Sequence, residues 1–327
     1  MQVALYVGRG DTFYDVSQLL TKVTWSGRKG AAPRTVEAVL FDSEKLDKRA
    51  PTNVSKGQTV VLYEVDEDNK YKETELFRGL LMSEKFSSSR QLTIKAYDMC
   101  VRFTNNKGSF SYKKKRADQI VRDCCKKLGL PVGTLANTGY KIGELVKKAT
   151  TYWDVIEDAL SQTYKTKGKR YFVYAEKGKI YLKERKETKT QRMIELGHNI
   201  ESYDRTRSIE DTRTRLKLVT SKGSKKGSTV VKDLEKKIGK FQDMQSVDEK
   251  ITKTEIKQRI NAVKTETAVI GQSLKVTALG DSGVKTGDCV YIGIETQSIE
   301  RSMFVEEDTH TWEKGKHTMS LKLDYSK

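Results

Sequence analysis

Gly57-Gln58-Thr59-Val60-Val61-Leu62-Tyr63 is followed by Leu76-Phe77 and then by Leu92-Thr93-Ile94-Lys95-Ala96-Tyr97-Asp98. The same succession returns near the end of the chain. There Gly287-Asp288-Cys289-Val290-Tyr291-Ile292 leads to Met303-Phe304 and then to Met319-Ser320-Leu321-Lys322-Leu323-Asp324. Phe77 and Leu92 are 15 residues apart, and so are Phe304 and Met319. Upstream, Val36-Glu37-Ala38-Val39-Leu40 resembles Leu274-Lys275-Val276-Thr277-Ala278-Leu279. Each piece alternates apolar and polar residues at least in part, which is the period of a half-buried strand. The pattern predicts one β-unit present twice, with other material spliced between. Short strand patterns are common, so two unrelated meanders would also match at this depth. A chain built this way is more often scaffold than enzyme.

The chain has 327 residues, enough for two or three domains. Hydrophobic residues make up 36% and charged residues 32%, which implies modest cores under a large polar surface. With three prolines it has no proline-rich linker. No apolar run approaches the roughly 18 residues that span a bilayer. Met1-Gln2-Val3-Ala4-Leu5-Tyr6 lacks the basic region and long apolar stretch of a signal peptide, so the expectation is a soluble chain made in the cytosol. Cys100, Cys124, Cys125 and Cys289 include no C-x-x-C spacing and read as reduced, partly buried thiols.

Lys and Arg number 62 against 44 Asp and Glu, a formal charge of +18. This raises the question of nucleic acid. The lysines are scattered, as in Lys113-Lys114-Lys115-Arg116, Lys147-Lys148 and Lys236-Lys237, mostly at element ends and loops. They describe a solvated basic surface better than a binding groove, although such a field acts on nearby DNA without reading bases.

Residues 1–104 read as almost pure β, with strands expected at Val3–Val7, Leu19–Trp25, Thr35–Phe41, Thr59–Val65, Glu75–Lys85 and Gln91–Tyr97. Short antiparallel strands with turn signals predict a small barrel or sandwich. After Lys107-Gly108 the period changes. Ala117, Ile120, Val121, Cys124 and Leu128 recur at helical spacing, ended by Gly129 and Pro131. Thr151 with Asp154 forms a capping box for a second helix. Arg170–Ala175 and Lys179–Lys183 then read as a hairpin across Glu176-Lys177-Gly178. Residues 105–190 are thus expected to form an α+β module. A second β-domain is expected over 191–222 and 270–327, with strands at 273–279, 288–295, 299–311 and 317–323 and at Arg213–Val219. Between its two parts, residues 223–269 are expected to form a charged, helical insertion. It begins with a flexible Gly223–Ser228 loop and carries a helix over 246–268 opened by Ser246 and Glu249.

The sequence carries no recognisable catalytic or cofactor constellation. His310 and His317 flank the turn of a candidate hairpin and could approach each other, but no third metal ligand is suggested. Asp66-Glu67-Asp68-Asn69 has Phe77 where an EF-hand loop needs its twelfth-position Glu, and reads as an acidic turn. Gly8-Arg9-Gly10-Asp11 lacks the third Gly of a dinucleotide fingerprint, and Gly223–Ser228 lacks the ending of a phosphate loop. Acid pairs such as Asp42/Glu44 and Glu306/Glu307/Asp308 are unremarkable in a chain with 44 acids. Aromatic residues are spread along strands rather than gathered on a stacking face. No catalytic, cofactor or metal residue is assigned, no cofactor is expected, and the chain reads as a non-enzyme.

Thr24-Trp25-Ser26-Gly27 followed by Pro33-Arg34-Thr35-Val36-Glu37-Ala38-Val39 resembles the opening of contractile-phage tail hub proteins. Leu92–Asp98, the helices at 116–129 and 151–162, Gly178-Lys179-Ile180-Tyr181-Leu182 and Asp308-Thr309-His310-Thr311-Trp312 also fit, as does His317-Thr318-Met319-Ser320-Leu321. The likeness is to the XkdQ/YqbQ type of Bacillus prophage-like elements and spans essentially the whole chain. These motifs are fold signatures and assign no residue roles.

The resemblance implies a mainly β fold with two similar small barrel (tube-type) domains per chain. It implies a homotrimeric hub at the tip of a phage tail or tail-like particle, assembled in the bacterial host. Three chains would make a pseudo-sixfold ring that joins the sixfold tail tube to the threefold central spike. The α+β module would face other baseplate proteins, DNA would be met at most non-specifically in the lumen, and no membrane is involved. From the repeat, the candidate ring-interface strands are 75–85 with 91–97 and 299–311 with 317–323. They carry Phe77, Leu92, Ile94, Phe304, Met319 and Leu321. Two other classes compete: a basic nucleic-acid-binding protein, and a tail-associated cell-wall hydrolase.

Overall fold

The structure, a computed structural model, describes residues 2–41, 54–66, 72–187, 192–220, 222–247, 249, 251–266, 268 and 270–324. Asp42, Glu44 and the acidic turn beyond Asp66 lie outside the described residues. The chain divides into two compact units, one of residues 1–203 with 275–326 and one of residues 204–274.

The larger unit begins with β1 (Gln2–Arg9), β2 (Thr12–Asp15), β3 (Leu20–Arg28), β4 (Thr35–Phe41), β5 (Thr59–Asp66), β6 (Lys72–Phe86) and β7 (Gln91–Asp98). The apolar residue of each alternating pair turns inward, so Leu5, Val23, Trp25, Val36, Ala38, Leu62, Phe77 and Ile94 form one buried core. The α+β module follows as α1 (Val101–Asn105), β8 (Lys107–Arg116), α2 (Ala117–Lys127), β9 (Val132–Leu135), β10 (Lys141–Thr151), α3 (Tyr152–Lys167), β11 (Tyr171–Glu176) and β12 (Lys179–Glu184). Thr151 caps α3 as expected, accepting from Asp154 N at 3.0 Å while Asp154 reaches back to Thr151 N. Phe103, Ile120, Val121, Ile142, Ile156 and Ile180 make a second core here. All four cysteines are free and buried, and burial pushes the Cys124 and Cys125 thiols up to about 12.

The chain then enters β13 (Arg192–Glu195) and β14 (Ile200–Ser208). Beyond the smaller unit's own strands the chain returns in β18 (Gly271–Leu279), β19 (Cys289–Ile294), β20 (Ile299–Glu313) and β21 (Lys316–Asp324), the numbering counting three strands of that unit as β15 to β17. Two runs of five strands have the same order: β3-β4-β7-β6-β5 and β14-β18-β21-β20-β19. The likeness extends to single bonds. Gly57 N donates to Leu81 O (2.8 Å) and Leu81 N to Gln58 O (2.8 Å); Gly287 N donates to Val305 O (2.8 Å) and Val305 N to Asp288 O (2.9 Å). Ser55 N donates to the Gln58 side chain and Lys285 N to the Asp288 side chain. The next step in each ladder is a bulge, between Leu81 and Ser83 against β7 and between Val305 and Glu307 against β21. Val36, Ala38 and Leu40 of β4 are buried, as are Leu274, Val276 and Ala278 of β18.

These registers correct one correspondence. Leu80, not Phe77, occupies the place of Phe304: Leu80 pairs with Thr59 and Tyr97, and Phe304 with Cys289 and Asp324. The hairpin of β20 and β21 is three residues longer, so equal spacing in sequence hid an offset of three in structure. The mainly β fold is as expected, but no closed barrel is found among the described residues. Among the described residues the strand order runs open from β14 to β2, and β20 pairs with β3, so both runs belong to one 13-stranded sheet.

The smaller unit contains β15 (Arg215–Val219), β16 (Lys225–Val230), α4 (Lys232–Ile238), β17 (Gln242–Ser246) and α5 (Lys253–Glu266). β15 pairs antiparallel with β16 and parallel with β17, and buried Leu216, Leu218 and Val247 pack with Ile251, Ile256 and Ile260. Three expectations change here. Of the expected strand Arg213–Val219, the part Arg215–Val219 belongs to this small sheet; residues 225–228 of the expected loop lie in β16; and α5 starts at Lys253. Ser246 ends a strand. The capping box is Thr252 with Glu255, whose carboxylate accepts from Thr252 N at 2.8 Å.

Candidate assembly site: the joint between the two β-runs

β20 changes partners along its length. Ile299–Phe304 pairs with β19, and Glu307–Glu313 pairs antiparallel with Arg28–Lys22 of β3, while β21 holds the other edge. The bulge at Val305 and Glu307 turns the strand at the changeover. At the rim, Lys22 meets Glu313 at 3.3 Å and Lys29 meets Glu306 at 2.7 Å. Exposed pairs of this kind contribute little.

The centre of the joint is buried and polar. The Asp308 side chain is 0% exposed. It accepts from Arg34 Nη1 at 2.8 Å and also from Arg34 Nη2, and from Thr286 N and Oγ1, both at 2.6 Å. Burial pushes the Asp308 carboxyl upward, but the Arg34 charge and these hydrogen bonds outweigh it and hold it below the usual carboxylate range. Arg34 also lies over the Trp25 ring at 4.1 Å.

His310 is fully buried beside Trp25, with ring centroids 5.2 Å apart. Its Nε2 lies 2.8 Å from Val284 O, which only accepts, so Nε2 carries the proton. His310 Nδ1 then accepts from His317 Nε2 at 3.1 Å. Trp312 stacks on His317 at 4.1 Å and completes the core of the first β-run. Burial lowers both histidines, and His317, next to His310, falls to about 4. Both are neutral at neutral pH. The sequence placed these two histidines across a turn, and the structure joins them. No group of three potential metal ligands occurs among the described residues.

The acids 306–308 are structural: Glu306 also pairs with Arg185 (3.1 Å), and Glu307 with Lys322 (3.3 Å). Arg185, at the end of the α+β module, also pairs with Asp324 and lies over the Phe304 ring at 4.0 Å. Of the six interface candidates, Phe77, Ile94, Met319 and Leu321 are buried in the chain's own interior, Leu92 packs against the first core, and Phe304 sits under Arg185. Their strands pair within the chain, β6 with β7 and β20 with β21. The joint itself is formed by residues the sequence reading did not select: Trp25, Arg34, Thr286 and Asp308. Trp25, Arg34 and Asp308 lay inside motifs already noted, but no spacing rule marks a partner more than 270 residues away.

A duplicated five-strand unit fused edge to edge defines a mainly β protein built on an internal repeat. The YQBQ-like family model matches residues 23–324, and the chain belongs to that family. Protein XkdQ of the phage-like element PBSX of Bacillus subtilis is 33% identical over 303 residues, covering 91% of this chain and 90% of its own. Among solved structures, the 43 kDa tail protein of prophage MuSo2 from Shewanella oneidensis aligns with a TM-score of 0.74 and 12% identity, covering 98% of this chain and 97% of its own. The tail protein of Neisseria meningitidis MC58 aligns with a TM-score of 0.75 and 11% identity, covering 99% and 96%. At such identity these two matches speak to the fold alone.

Proposed function

We propose that this chain is a structural component of the baseplate of a phage or phage-like contractile tail, and that it acts there as a hub. In this reading three copies form a pseudo-sixfold ring that receives the sixfold tail tube on one side and the threefold spike on the other. The observation that carries it is the β20–β3 joint, where one copy of a repeated unit continues the sheet of the other. A chain with two such units gives six similar positions from three chains, which is the arithmetic a threefold-to-sixfold adaptor needs. Family membership and the likeness to a phage-like element protein support the tail setting. The neutral histidine pair and the bonded acids at the joint favour packing over chemistry.

The test is the mass of the purified chain by light scattering, alone and mixed with the products of neighbouring tail genes. A trimer is expected, either alone or once a tube or spike partner is added. A chain that stays monomeric with every tail partner overturns the hub.

A further inference from the structure

We propose that the outward edge of β6 at Met82–Phe86 pairs antiparallel with the outer edge of β14 from a second copy of this chain, repeating between subunits the joint that β20 and β3 make within one. The proposal rests on the ring reading above and names its contact. In the two equivalent runs β6 occupies the place of β20, and β14 the place of β3. Among the described residues, one of the two possible joints of this kind is made, β20 with β3.

Both edges are open among the described residues. β6 is bonded to β5 as far as Leu80, and Gly57 and Gln58 bond Leu81; beyond that its only strand partner is β7. β14 ends the strand order, with β18 on its one paired side. The direction of the β6 amides follows from the ladder. Ser87 N donates to Gln91 O, so the alternating antiparallel pattern sends Lys85 and Ser83 N–H toward β7 and leaves Phe86 and Glu84 N–H pointing away. Their counterparts in β20 are His310 and Asp308, which lie opposite Trp25 and Gly27 of β3.

The side chains mark the same gap. His310 is 0% exposed because the joint covers it, whereas Phe86 at the equivalent place is 61% exposed, with Met82 beside it at 37%. An open strand edge flanked by large apolar side chains is a template for another strand. Glu84 stands where Asp308 stands and is held by Lys56, one residue before Gly57, as Asp308 is held by Thr286, one residue before Gly287. The position matching Arg34 is Gln272, so this joint lacks the buried guanidinium and is the weaker of the two. Each chain offers one β6 edge and one β14 edge, a head-to-tail contact that closes into a ring when the rotation allows.

The experiment uses the full chain under the conditions in which wild type assembles. Phe86→Pro removes an outward N–H and spares the β7 ladder, and circular dichroism checks that it folds. In a second set, Phe86→Cys is combined in turn with Tyr203→Cys, Asp204→Cys or Arg205→Cys and oxidised. The expected results are loss of the ring for Phe86→Pro, and covalent species up to the full ring from at least one cysteine pair on a non-reducing gel. If wild type forms rings, Phe86→Pro forms them equally and no cysteine pair cross-links, then β6–β14 pairing is wrong while the ring stands. If wild type never assembles with any tail partner, the hub reading itself fails and this contact with it.

Discussion

Arg34 donates two bonds to Asp308 from a guanidinium whose side chain is 14% exposed, and its own backbone N–H donates to Asp98 at 3.0 Å. It therefore ties β20 to the start of β4 and to the end of β7. Arg34→Ala would leave the Asp308 carboxylate buried with only Thr286 to hold it, and losing one member of a buried ion pair costs about 3–5 kcal/mol. We expect a fall of that order in the urea unfolding free energy; a loss within about 1 kcal/mol, typical of exposed pairs, would show that the joint does not depend on it. His317 gives the joint a pH dependence. Burial lowers its pKa from the ordinary 6.5 to about 4 in the folded chain, so between these values the unfolded chain binds a proton that the folded chain does not. Stability from this group is present above pH 6.5 and lost as pH falls toward 4. Asp98, pushed up to about 7 by burial, acts with the opposite sign, since its contribution is lost as pH rises through 7. A difference measurement removes it: as pH falls from 7 to 4, wild type should lose stability relative to His317→Gln. A difference that does not change with pH would show that folding leaves the His317 pKa unshifted.

At the scale of the element, Gly57 and Gly287 open matching strands with φ of +85° and +90°. A side chain at either place costs about 1–2 kcal/mol for the backbone alone. At Gly287 a Cβ would also lie 2.5 Å from Phe172, whereas at Gly57 the nearest atom is the tip of Arg9 at 3.4 Å. Gly287→Ala should therefore lower the melting temperature more than Gly57→Ala, and equal losses would show that Phe172 yields freely. These glycines were legible because a turn before an alternating run is a local signal. So were β4, which matches its expected bounds, and the Thr151 cap. Elements whose signal is not local were missed. β8 carries Lys113-Lys114-Lys115, and its inward residues reduce to Phe110 and Tyr112. In β10 the buried Ile142 and Leu145 stand three apart, a spacing that imitates a helix. The joint left no local trace, because the charge of Asp308 is answered only by residues distant in sequence.

For the whole molecule, the interrupted second run poses the sharpest question: whether the residues between β14 and β18 are needed for the sheet on either side. The small unit has a core of its own in Leu216, Leu218 and Val247, with Ile251, Ile256 and Ile260 packed on it. The strands that lead into and out of it run side by side, with Leu279 N donating to Asn199 O at 2.9 Å and a Cβ on Gly271 falling 3.2 Å from Ser208 O. Ser208 and Gly271 thus already sit at the two ends of what could be a hairpin. Replacing residues 209–270 by Asn-Gly supplies the turn type that two antiparallel strands of this twist favour. Loop closure over so short a distance also removes entropy from the unfolded chain. The first β-run, the α+β module and the Arg34–Asp308 joint contain none of the deleted residues. The shortened chain should keep its β-sheet circular dichroism and unfold cooperatively within about 5 °C of wild type. If it aggregates or melts without cooperativity, the second run draws stability from the inserted residues, and the five-strand repeat is not a folding unit on its own terms.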